Sequence, residues 1–155
     1  WARTTADALV LCALFNSFPF DWLVRQKAAT HLSLYMLDAL PVPRFSENQR
    51  QFLARAALRL SCNHTGYIPL WREQTGSRSM PNPIRPVARG ILRARVDAMV
   101  AEAYGLDRNA YRHVLGAFSH RSDPNATARC LDAFDALQVD GMADSSDRRN
   151  TVFVV

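Results

Sequence analysis

Apolar residues recur at helical spacing along most of this chain, and no strict apolar–polar alternation persists long enough to mark a strand. Thr4 or Thr5 is placed to cap a helix over residues 6–15. That helix is apolar almost all round, so most of its faces should be buried. Asn16-Ser17 interrupts it, and Ser17 then caps a second helix that tolerates Pro19 in its first turn and runs to about Lys27. Residues 30–33 read as a short extended segment and 34–40 as a short helix, ended by Pro41-Val42-Pro43. Ser46 followed by Gln49 is a capping-box pattern. The helix it opens carries Phe52, Leu53, Ala56, Ala57 and Leu60 on one face, with Arg50, Arg55 and Arg59 off it.

From 63 to 86 the pattern collapses among Gly66, Pro69, Gly76, Pro81, Pro83 and Pro86, which predicts a long surface loop. Helix returns at about Val87, with Ile91, Leu92, Val96, Met99, Val100 and Ala103 in register. Gly105 stands ready as the residue after the helix, and Leu106 as its hydrophobic contact. Asp107 caps a helix with Tyr111, Val114, Leu115 and Phe118 inward. Asp123-Pro124 opens a last one with Ala128, Leu131, Phe134 and Leu137 aligned. Residues 140–155 read as a polar, flexible tail, with strand propensity at 151–155. The expectation is a mainly α chain, a single helical domain over 1–155 with about five to six helices and at most a small β remnant.

Composition fits that picture: 48% of the 155 residues are hydrophobic and 21% charged, as in ordinary globular domains. No apolar run approaches the ~18–20 residues of a membrane span, so no membrane partner is expected. Three widely spaced cysteines, Cys12, Cys62 and Cys130, argue against a disulfide framework. Asn63-His64-Thr65 and Asn125-Ala126-Thr127 match the glycosylation pattern, but no secretory feature accompanies them. The cytoplasm is the expected location. A chain that starts at Trp1 is expected to be cut from something longer.

Charge changes the picture more. Between Arg44 and Arg95 stand ten Arg and two acids, a net of +8, whereas from Ala101 onward six Arg face eight acids, a net of −2. A basic stretch beside a near-neutral one is an electrostatic footprint for a polyanion. Equally, Lys27 is the only lysine, so arginine also serves as this chain's ordinary solvated cation.

Catalytic patterns are absent from the sequence. There is no G-x-G cofactor loop, and Asn82-Pro83-Ile84-Arg85 departs from an Asn-Pro-Pro-aromatic loop after two residues. Arg25 stands where a carboxylate-lysine nuclease would need an acid before Lys27. Cys62 and His64 have no partner pair at zinc-finger spacing. No Gly-x-Ser-x-Gly elbow and no Gly-Lys-Ser loop occur.

Two blocks are distinctive together. One is Leu14-Phe15-Asn16-Ser17-Phe18-Pro19-Phe20-Asp21-Trp22-Leu23-Val24-Arg25-Gln26-Lys27, followed by His31-Leu32-Ser33 and Leu37-Asp38-Ala39-Leu40-Pro41-Val42-Pro43. The other is the helix from Leu92 to Tyr104, Gly105-Leu106-Asp107, and the helix through Tyr111 and Leu115. In this order they resemble the end of the target-recognition region and the helical tail of type IIG restriction-modification enzymes and their adenine-specific DNA methyltransferase relatives. The likeness covers about residues 8–120. Ser33 stands where the family often has Asn.

The resemblance implies a parent that methylates adenine in DNA with S-adenosylmethionine, with or without an endonuclease. It places the catalytic machinery outside this chain, which would hold no cofactor of its own. The chain's role would be to support target recognition, with the rest of the parent and duplex DNA as partners. The candidate DNA-backbone residues are Arg25, Lys27 and His31, together with Arg59, Arg72, Arg78, Arg85 and Arg89. Arg25 and Lys27 equally suit plain charge complementarity at a helix C-terminus. The alternative is a helical docking or oligomerisation module with no nucleic-acid contact.

Overall fold

A computed structural model of the chain describes residues 2–27, 31–79 and 83–150, and of 140–150 only the backbone. Among the described residues there are eight α-helices and no strand. The mainly α expectation holds, and the count of five to six helices is too low. α1 (Thr5–Phe15) and α2 (Phe18–Lys27) are bent 72° from one another. The bend is chemical: the Ser17 hydroxyl donates to Leu14 O at 2.6 Å and stands 3.5 Å from the Phe20 amide, serving the end of one helix and the start of the next. α3 (Leu34–Asp38) is a single turn capped by Ser33.

α4 (Glu47–Ser61) opens with the Ser46–Gln49 capping box, both of its bonds formed. α6 (Pro86–Ala103) closes as the sequence predicts: Gly105 N–H donates to Glu102 O at 2.8 Å and Leu106 N–H to Ala101 O at 3.1 Å. Asp107 caps α7 (Arg108–Gly116) by accepting from the Asn109 and Ala110 amides.

Segment 63–86 is not a plain loop. A 3₁₀ turn (Thr65–Tyr67) leads into α5 (Ile68–Thr75). Pro69 sits in the first turn, where its missing N–H costs nothing. Gly76 follows the last turn at φ +69°, a left-handed cap that a side chain would strain. The punctuation that suggested a loop is the start and stop of a two-turn helix. α8 (Ala126–Asn150) likewise stays helical past Asp140, where a flexible tail was expected. A nucleated helix gains one bond for each residue added, so polar residues prolong it cheaply. The strand propensity at 151–155 lies outside the described residues.

Two cores share α6. In the first, Leu9, Val10, Ala13 and Leu14 of α1 meet Leu53, Ala56, Ala57 and Leu58 of α4, with Val96 and Val100 of α6 against them. In the second, Ala94, Ala98 and Ala101 of α6 face Cys130, Leu131 and Phe134 of α8 and Tyr111 and Leu115 of α7. Small side chains let α8 lie close on α6. Three expected inward positions are corrected. Ile91 is 50% exposed, Ala128 is exposed while Cys130 is buried, and Phe118 lies beyond the end of α7. At Ile91 and Ala128 the helix drifts from the assumed stripe, and Leu92 and Cys130 pack inward instead, whereas α7 ends before Phe118 is reached.

Candidate polyanion-binding cleft

An open cleft of about 850 Å³ lies where α2, α6 and the α7–α8 connection meet. Its floor is set by Asp97, which is 3% exposed and accepts the Phe18 amide at 2.6 Å. That bond ties the first turn of α2 to the middle of α6 and presents Phe18 and, two turns on, Arg25 to the cleft. Burial pushes the Asp97 carboxyl up to about 7, opposed by the Phe18 bond and by Arg93. Its other polar neighbours are the Tyr111 hydroxyl and the Cys130 thiol, both pushed upward chiefly by burial.

On one wall Phe18 and Phe118 stand 4.8 Å apart, and His120 meets Phe18 edge-on at 4.9 Å. His120 holds φ +45°, a conformation rare for a side-chain-bearing residue, and its Nε2 donates to Leu115 O at 2.8 Å. The opposite wall is α6. Gly90 lets the Arg129 guanidinium lie directly on that helix, since a Cβ there would stand 3.2 Å from Nη2.

Five arginines line the cleft: Arg25, Arg89, Arg93, Arg121 and Arg129. Two are already matched. Arg25 donates to both Asp21 oxygens, at 3.1 and 3.0 Å, and lies 4.6 Å over the Phe118 ring. Arg129 pairs with Asp123. Arg89 donates to Leu60 O at 2.9 Å, a neutral partner. Among the described residues Arg89, Arg93 and Arg121 enter no ion pair. The cleft therefore presents three arginines that enter no ion pair among the described residues, with Arg93 in electrostatic reach of the buried Asp97, and this surplus of cation suits an anion.

The eight residues singled out from the sequence do not gather in one place. Arg25 and Arg89 line the cleft. Lys27 ends α2 and His31 precedes α3, both exposed and outside the cleft. Arg59 borders a separate apolar hollow with Leu9, Leu58 and Trp71. Arg72 makes a long 3.4 Å bond to Arg78 O, and Arg78 is exposed after α5. Arg85 is the backbone N-cap of α6. Sequence reasoning missed Arg93, Arg121, Arg129 and Asp97. A helical wheel would have shown Asp97 on the stripe of Ala94 and Ala101, three and four residues away.

No group of three or more His, Cys, Asp or Glu among the described residues is placed to hold a metal. No single helix among them is long and apolar enough to cross a membrane. Comparison with known protein families, curated proteins and solved structures finds no match for the chain.

Proposed function

We propose that this chain is a non-catalytic helical segment of a DNA restriction-modification methyltransferase, supporting target recognition by holding the phosphate backbone. The observation that carries the reading is the convergence of Arg89, Arg93 and Arg121, without ion pairs, on one open cleft beside Arg25. The methyltransferase parent rests on the two resembling blocks. Contacts of this kind set register and affinity without reading bases. The S-adenosylmethionine site and any nuclease would belong to the rest of the parent.

Duplex binding should be weak, sequence-independent and salt-sensitive, with a log–log slope of about −0.9 per phosphate contacted. Replacing Arg89, Arg93 and Arg121 by Ala together should flatten that slope by about three units and weaken all duplexes alike. No binding at ~50 mM salt, or an unchanged slope, refutes the DNA reading. For the parent, an uninterrupted reading frame upstream of Trp1 without an Asn-Pro-Pro-aromatic motif counts against an adenine methyltransferase. The docking-module reading is favoured by one observation: Leu34 and Tyr35 of α3 are 81% and 83% exposed.

A further inference from the structure

The cleft offers more than backbone phosphate needs. Its volume, about 850 Å³, falls in the range of small-molecule sites, roughly 300–1,000 Å³. Its walls are of two kinds. Arg89, Arg93 and Arg121 supply unpaired cations, whereas Phe18 and Phe118 supply aromatic surface. Arg25 is held over Phe118, its Cζ 4.6 Å from the ring centroid, and is tied to Asp21, with its side chain 58% exposed. A guanidinium fixed in this way offers its other face for stacking. A duplex keeps its bases stacked inward and would leave this aromatic wall unused. A ligand that satisfies both walls carries at least one phosphate and one flat ring.

We propose that the cleft binds a nucleoside phosphate, either free or as an unpaired unit of a strand. The phosphates lie on Arg89, Arg93 and Arg121, and the base lies against the outer face of Arg25, which the Phe118 ring backs. This rests on the reading of the same cleft as a polyanion site, and it names the chemistry of the ligand.

The test is calorimetric titration of the whole chain with ATP, adenosine and inorganic phosphate in parallel. ATP should bind, and adenosine and inorganic phosphate should each bind at least about tenfold more weakly, because each lacks one half of the recognition. Arg93→Ala with Arg121→Ala should weaken ATP by more than about tenfold. Phe118→Ala, which removes the ring that holds Arg25 in place, should weaken it by up to about tenfold. Arg55→Ala, outside the cleft on α4, should leave it unchanged. Should the alanine variants lose their helical circular dichroism, Arg93→Lys and Phe118→Leu replace them, with the same order of effects.

Inorganic phosphate matching ATP overturns the aromatic half, adenosine matching ATP overturns the cationic half, and no ATP binding at millimolar concentration overturns the site. A short thymidine oligonucleotide binding at least about tenfold tighter than thymidine monophosphate identifies a strand as the source. Equal or weaker binding identifies the free nucleotide, and either result upholds the site. Duplex binding without ATP binding overturns this inference alone. ATP binding without duplex binding overturns the DNA reading alone.

Discussion

The two cores that share α6 are built differently. The first is formed by aliphatic side chains with Phe20 and Cys62, and Leu14, Leu53 and Val100 are wholly buried in it. The second rests on small alanines and encloses Asp97, the Tyr111 hydroxyl and the Cys130 thiol. Burial pushes all three upward, Asp97 to about 7 and Cys130 to about 12. Tyr111 Oη is buried and, among the described residues, has only the Cys130 thiol as a polar neighbour besides Asp97. Such groups cost stability, and most buried polar atoms are satisfied. The difference follows the cleft. The second core carries a polar floor because Asp97 must hold the Phe18 amide, and through it the wall that presents Arg25. The first core positions no such wall and, among the described residues, buries no carboxyl; its polar content includes the Trp71 indole N–H and the Cys62 thiol.

Substitution in the first core should produce the largest loss of stability. Leu53→Ala should cost about 3 kcal/mol in urea denaturation, independent of pH, because a wholly buried leucine leaves a cavity. A cost below about 1 kcal/mol would mean that α1 and α4 collapse onto the space, and the contrast between the cores would lose its basis.

Next comes Asp97→Asn, which keeps an oxygen to accept from Phe18. The folded chain holds the Asp97 proton up to about pH 7, while the unfolded chain releases it near pH 3.9. Folding thus takes up a proton between these values, and native stability should fall as pH rises through the window. The asparagine variant should exceed the native chain by on the order of 4 kcal/mol at pH 8, with the gap closing toward pH 4. A gap independent of pH would show that Asp97 does not titrate there.

The smallest effect is expected at Tyr111→Phe. Removing a hydroxyl that is buried against a weakly bonding thiol should stabilise the chain or leave it unchanged, within about 1 kcal/mol, by thermal denaturation. A loss beyond that would reveal a bond that compensates the second core's polar content.

Much of the fold was legible locally. Thr4, Ser46, Asp107 and Gly105 marked helix ends correctly, because caps depend on hydrogen bonds within a few residues. α5 was misread because Pro69 and Gly76 punctuate both loops and helix ends, and only the backbone distinguishes them. The site was far less legible. Charge counted along the chain pointed to residues 44–95, yet the cleft draws Arg25 from before that window and Arg121 from the near-neutral stretch after it. Of the residues named beforehand, Arg25 and Arg89 reach it, whereas Lys27, His31, Arg59, Arg72, Arg78 and Arg85 do not line it.

The sequence by itself determined that this protein is helical, where most of its helices start and stop, and that cation would come as arginine. Periodicity, capping and composition act over neighbouring residues, and those are in view along a chain. Which arginines share one cleft was decided only by the tertiary structure. Asp97 pins α2 to α6, and the α7–α8 connection brings Arg121 and Phe118 over them. Asp21 and Asp123 then neutralise two of the five arginines and leave three unpaired. Charge compensation depends on distance in space, and spacing along the chain does not reveal it.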